Sequence, residues 1–150
     1  MDATLKGPWS LEQVRRHLDE TRIPIRLSCQ NPSGFPLLVS LWYLHRDDAL
    51  WCATRRDAAI ARFLRRDARC GFEVARDAPP YRGVRGVGHA QLVEARGEEI
   101  LRALVDRYLG SEDVPLARWL LARADREVAI RIEPARIVSW DYSERMQGIR

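Results

Sequence analysis

The chain has 150 residues, of which 31% are charged and 46% hydrophobic, and a formal net charge of +4. That is the length of one domain and the balance of a folded globular protein, which excludes a disordered polar tract. Lys6 is the lone lysine, so 24 of the 25 basic residues are arginines, each a planar fork of donors suited to carboxylates and phosphates.

No stretch approaches the roughly 18 uninterrupted apolar residues of a membrane-spanning helix, so no membrane is expected. The opening Met1-Asp2-Ala3-Thr4-Leu5-Lys6 lacks a basic-then-apolar leader pattern, which predicts a cytoplasmic protein. Cys29, Cys52 and Cys70 are widely spaced in apolar stretches, as buried reduced thiols are. With His17, His45 and His89 equally scattered, no metal site is expected. Acidic residues interleave the arginines (Asp57, Asp67, Asp77, Glu94, Asp106), and no nucleic-acid-binding motif is present, so nucleic acid is not an expected partner.

Ser10 with Gln13 reads as a capping box and starts a helix that runs to about Glu20, making residues 1–21 a helical extension on a single domain spanning 1–150. Ile23, Ile25, Leu27 and Cys29 then alternate with polar residues at the period of a half-buried strand. A turn at residues 31–34 leads to a second strand over residues 35–45, so apolar that both its faces are predicted to be covered. Residues 46–48 turn into a third strand over 49–53. Ile60, Phe63 and Leu64 mark a helix over 57–66, and residues 69–75 a strand. After the stiff Asp77-Ala78-Pro79-Pro80 comes a long strand over 81–94. Leu101, Leu104, Val105 and Tyr108 mark a helix ended by Gly110, and Leu116, Trp119 and Leu120 a shorter one. Val128, Ile130 and Ile132 alternate, Pro134 is predicted to break the run, and residues 137–142 form a last strand. Seven strands with few helices predict a mainly β (α+β) fold, a barrel of antiparallel strands with peripheral helices.

Thr54-Arg55-Arg56 falls where the third strand runs into a helix. Free N–H groups beside two guanidiniums make an anion site there, and Thr54 serves either as helix cap or as an anion contact.

The order of Gly34-Phe35-Pro36, Leu37 to Tyr43, Leu50-Trp51-Cys52-Ala53-Thr54, Leu64 to Arg69, Pro80 to Gly88 and Ile130-Arg131-Ile132-Glu133-Pro134 resembles the pyridoxamine 5′-phosphate oxidase-like, FMN-binding split β-barrel family. The resemblance implies a homodimer with cofactor sites at the interface and a flavin (FMN)-dependent oxidoreductase acting on a small molecule. It lays the flavin ring along Val39, Ser40, Leu41 and Trp42, and puts the phosphate at Ala53, Thr54, Arg55 and Arg56. Arg82 and Gly83 begin the strand that approaches the ring in such proteins. The chain departs from the family where a Ser-x-Lys commonly meets the phosphate: Asp57-Ala58-Ala59-Ile60 has no lysine, which leaves Arg55, Arg56 or Arg62 to substitute. A deazaflavin fits the same expectation, and a non-catalytic flavin-, deazaflavin- or haem-binding protein is the alternative.

Overall fold

The computed structural model describes residues 1–148. In chain order its elements are β1 (Thr4–Lys6), α1 (Leu11–Glu20), β2 (Ile25–Gln30), β3 (Pro36–Leu41), β4 (Leu44–Arg46), β5 (Ala49–Arg55), α2 (Ala59–Arg66), β6 (Arg69–Ala75), β7 (Arg82–Val93), α3 (Gly97–Leu109), α4 (Pro115–Leu121), β8 (Glu127–Asp141) and α5 (Ser143–Met146). Short 3₁₀ turns at Glu94–Arg96 and Ala124–Arg126 lead into α3 and β8. The strands form one sheet in the order β3-β2-β6-β7-β8-β5-β4. Pairing along it is antiparallel, and β1 adds in parallel beside β8. This is the split β-barrel with peripheral helices.

Period-2 alternation builds the barrel interior. Ile25, Leu27 and Cys29 of β2 and Cys70, Phe72 and Val74 of β6 point inward, where they meet Leu50, Cys52, Ile130 and Ile132. Val14 and Leu18 of α1, with Ile60 and Leu64 of α2, pack onto this core. The capping box of α1 forms as expected: Ser10 Oγ accepts from the Gln13 N–H at 3.2 Å, and Gln13 Oε1 accepts from the Ser10 N–H at 2.8 Å. A second apolar layer, with Trp51, Ile100 and Leu104, joins β5 and β8 to α3. A third, with Leu101, Val105 and Ala117, joins α3 to α4.

Four expectations are corrected. The segment 35–45 is two strands, because the chain breaks at Trp42 and Tyr43. Tyr43 is fully buried, and its hydroxyl lies 2.8 Å from the carbonyls of both Leu18 and Thr21, which share its one proton. β3 is an edge strand rather than one covered on both faces, and its outer face leaves Leu38 67% exposed. β1 gives no periodicity in three residues and depends on its parallel pairing with β8. Pro134 does not end a strand: β8 runs unbroken for 15 residues, with Ala135 left as the extra residue of a bulge opposite the Val87–Gly88 step. A bulge is one of the few places where a sheet tolerates proline's missing N–H.

The three cysteines are buried and free, with Cys29 directly opposite Cys70 across β2 and β6. Burial, with Cys29 nearby, pushes the Cys70 thiol up to about 12. Among the described residues no helix is long and apolar enough to cross a membrane.

Candidate functional site

β5 leaves the core gradually: Cys52 is buried, Ala53 and Thr54 are half-buried, and Arg55 is exposed. Its end is fastened by the Arg56 N–H, which donates to the Arg126 carbonyl at 2.8 Å and so brings the Ala124–Arg126 turn alongside the β5–α2 junction. α3 lies against the start of β8 because Gly97 has no side chain; a Cβ there would collide with the Glu127 carbonyl. These two constraints set α3, α4 and the turn over the ends of β3 and β5, leaving a trough of about 470 Å³ between them.

Of the eleven residues expected at a site, six line this trough: Ser40, Leu41, Trp42, Ala53, Thr54 and Arg55. Trp42 is fixed by stacking on Tyr108, with ring centroids 4.9 Å apart and planes within 5°. Leu101 and Leu104 add to the apolar lining. Facing them, α4 contributes Leu116, Trp119 and Leu120. Trp119 is 57% exposed, with the Arg123 guanidinium 4.3 Å from its ring centroid. Arg55, Arg123, Arg126 and Glu127 complete the lining, with Arg55 opposite Glu127 in the β5–β8 register. Arg55 forms a two-pronged pair with Asp57 at 3.1 and 2.9 Å. Among the described residues Arg123 and Arg126 have no carboxylate pair. Burial pushes the Glu127 carboxyl upward while Arg55 pulls it down, and the net shift is upward. Glu127 therefore holds a proton more readily than an exposed glutamate.

The other five residues lie elsewhere. Val39 is on the inner face of β3 and packs against the barrel core. The Arg56 guanidinium turns away to Glu94 at 2.8 Å, a carboxylate also held by Arg65 at 2.8 Å. Arg62 lies over the Phe63 ring, 5.8 Å from its centroid, on the exposed side of α2. Gly83 is buried against β6, where an added Cβ would come within 2.6 Å of the Ala75 Cβ, so it serves sheet packing and not close approach of a ligand. Arg82 faces a different cavity beneath α1. The helix after β5 also starts later than expected, at Ala59, with Ala58 as a cap that makes no side-chain hydrogen bond; Thr54 does not cap it. Of the arginines expected to stand in for the missing lysine only Arg55 lines the trough, where Arg123 and Arg126 join it. In the sequence Leu116, Trp119 and Leu120 marked only a short helix, with no place at the site. The signal that marks it is a seven-residue helix with four large apolar residues and only Ala117 buried, followed by Arg123 one turn after Trp119.

Chemically the trough is a slot whose lining combines apolar, tryptophan-bearing walls with three guanidiniums. It suits a flat aromatic ring carrying an anionic tail. Fold and trough together define a split β-barrel with an open trough between barrel and helices. Among solved structures that architecture is the fold of the pyridoxamine 5′-phosphate oxidase-like proteins. A conserved hypothetical protein of Mycobacterium tuberculosis is 27% identical, with a TM-score of 0.76 over 90% of this chain and 86% of that one. An F420 reductase is 21% identical, with a TM-score of 0.70 over 87% of this chain and 97% of its own. A Listeria innocua protein named as a candidate pyridoxamine 5′-phosphate oxidase is 20% identical, with a TM-score of 0.63 over 84% of this chain and 94% of its own. No family model matches the sequence, and no curated protein does.

Proposed function

We propose that the protein is a flavin-type oxidoreductase that holds FMN, or a deazaflavin in its place, in the trough and acts on a small molecule lying against the exposed ring. One observation carries the reading: a single trough is lined by two tryptophans, apolar side chains and three guanidiniums. The fold supports it, since an F420 reductase is built on the same architecture.

When bound, such a cofactor supplies the electron-transfer chemistry, and the protein need supply only binding, orientation and electrostatics. In this chain Arg123 and Arg126 bind the phosphate or other anionic tail with donors not engaged by carboxylates. Arg55 joins them from its exposed pair with Asp57, which costs little to share. Trp42 and Trp119 flank the ring, and Leu101 and Leu104 keep water from it. Ser40 and Thr54 offer hydroxyls to its polar edge. The Glu127 carboxyl, raised by burial against the pull of Arg55, takes up a proton more readily than an exposed glutamate.

A second copy of the chain belongs to this reading. Phe35, Leu38 and Val87 are 72%, 67% and 44% exposed, an apolar set on or beside the sheet that a homodimer would cover. The cytoplasm fits the three free thiols.

The test is a fluorescence titration of the purified protein with FMN and, separately, with F420, alongside the absorption spectrum of the protein as isolated. Saturable binding of one of them is expected, weakened about tenfold or more in an Arg123→Ala/Arg126→Ala variant. Failure of both cofactors to bind sinks the proposal. A bound flavin that neither NADH nor NADPH reduces, and that is reoxidised no faster than free flavin, favours a non-catalytic carrier.

A further inference from the structure

A second cavity, of about 580 Å³, lies beneath α1 and shares no lining residue with the trough. The two sit toward opposite ends of β8, since Glu127 lines the trough and Asp141 the second cavity. Gln13, Arg16, His17 and Glu20 of α1 line one side of it, and Arg22 stands on the turn into β2. Arg76 and Arg82 come from the base of the β6–β7 hairpin. There the Arg76 N–H donates to the Arg82 carbonyl at 3.0 Å, so the two guanidiniums start from neighbouring points.

Most arginines with a nearby acid use it. Arg15, Arg16, Arg46, Arg55, Arg56, Arg65, Arg69, Arg96, Arg102 and Arg131 all pair with carboxylates. Among the described residues Arg22, Arg76 and Arg82 have no such pair, and their side chains donate no hydrogen bond to the protein, although Glu20 and Asp141 line the same cavity. Asp141 is already engaged: its Oδ1 accepts from both the N–H and the hydroxyl of Ser143, at 2.9 and 2.5 Å. Glu20 is exposed at the rim.

His17 does not add to the charge. Its Nε2–H donates to the Val74 carbonyl at 2.9 Å, which leaves Nδ1 to accept from the Thr21 hydroxyl at 3.3 Å. Burial, and then Arg82 and Arg76, lower its affinity for a proton. The ring takes up a proton less readily than a free imidazole, and it packs on Trp9 at 5.0 Å between centroids. The cavity thus has an aromatic wall and three partnerless forks, with half-buried Arg76 and Arg82 the best placed.

We infer that this cleft is a binding site for a small phosphate-bearing molecule, distinct from the cofactor trough, held by Arg76 and Arg82 with Arg22 closing from the opposite lip. Three unpaired guanidiniums outnumber the two carboxylates of the lining, Glu20 at the rim and Asp141, whose charge Arg82 feels, whereas a phosphoryl group offers three acceptor oxygens and up to two charges. The volume is that of a small-molecule site.

Inorganic pyrophosphate is the probe, titrated into the full chain by calorimetry and by Trp fluorescence, with Trp9 beside the site. Saturable binding is expected to persist at about 150 mM salt, where exposed charges are screened beyond about 8 Å. Arg76→Gln and Arg82→Gln should each weaken it about tenfold or more, and Arg22→Gln less, with cofactor titration of the trough unchanged. Should a variant fail to fold, the wild-type protein still decides: pyrophosphate must shift the indole N–H resonance of Trp9 and the ring resonances of His17. The inference is overturned by absence of saturable binding, by equal binding in both hairpin variants, by competition with FMN or F420 for one site, or by tight citrate binding without pyrophosphate binding.

Discussion

The trough and the cleft beneath α1 are of similar size, about 470 and 580 Å³, and they are built oppositely. The trough is an extension of the core: Leu101 and Leu104 are buried members of the packing between α3, α4 and the sheet, and the tryptophans stand on that base. The cleft is a gap between elements, lined by groups at the end of a helix, the base of a hairpin and the end of a strand. Volume alone therefore says little about a cavity. Whether its lining also holds the fold together decides what can be changed there without losing the protein.

The sharpest break of the comparison is Leu104→Ala, which removes a side chain 1% exposed and should destabilise by about 2–5 kcal/mol, read by urea unfolding. Glu20→Gln in the cleft should stay within about 0.5 kcal/mol on the same measurement. Next, Trp119→Ala should leave the urea midpoint unchanged and weaken binding of FMN or F420 about tenfold, since an exposed flanking aromatic acts on the ligand and not on the fold. Tyr43→Phe tests what lies between the two regions. Its hydroxyl holds the end of α1, and Arg107 already donates to the same carbonyls of Leu18 and Thr21 at 3.1 and 2.7 Å. A loss of about 1 kcal/mol is expected, with both ligand titrations unchanged.

The smallest effect is on pH. His17 in the folded protein has a lower pKa than the unfolded value of about 6.5, because burial disfavours its charged form. The unfolded chain then takes up the proton first. Stability from this group is present above that pH and lost as pH falls through the folded value. The urea midpoint should decline from pH 7.5 toward pH 5 in the wild type and more shallowly in His17→Gln. Equal slopes would contradict the assignment.

What the sequence disclosed follows how local each feature is. α1 with its capping box, β2 and β6 were legible because a cap or a period of two is written within a few residues. The splitting of 35–45 and the fusion across Pro134 were not. The first depends on Tyr43 reaching the end of α1, and the second on a bulge against β7. The site divided the same way. Ser40 to Trp42 and Ala53 to Arg55 lie in two short runs whose order resembles a family. Trp119, Arg123 and Arg126 reach the same trough from some 65 or more residues further along the chain, through the seating of α3 against Glu127. The arginine excess is explained only in space: among the described residues ten arginines are tied to carboxylates, Arg55 of the trough and Arg16 of the cleft included, while Arg123 and Arg126 of the trough and Arg22, Arg76 and Arg82 of the cleft have no such pair.

β8 pairs with β1, β5 and β7, segments that together extend from Thr4 to Val93, while β8 itself ends at Asp141. Completing this one strand requires contacts between residues far apart in sequence, the topology of a slow folder. Both cavities take a wall from it, so neither is assembled in a chain that has folded only in part. A ligand at either cavity should then raise the resistance of the entire barrel to unfolding, in proportion to how far its concentration exceeds its dissociation constant.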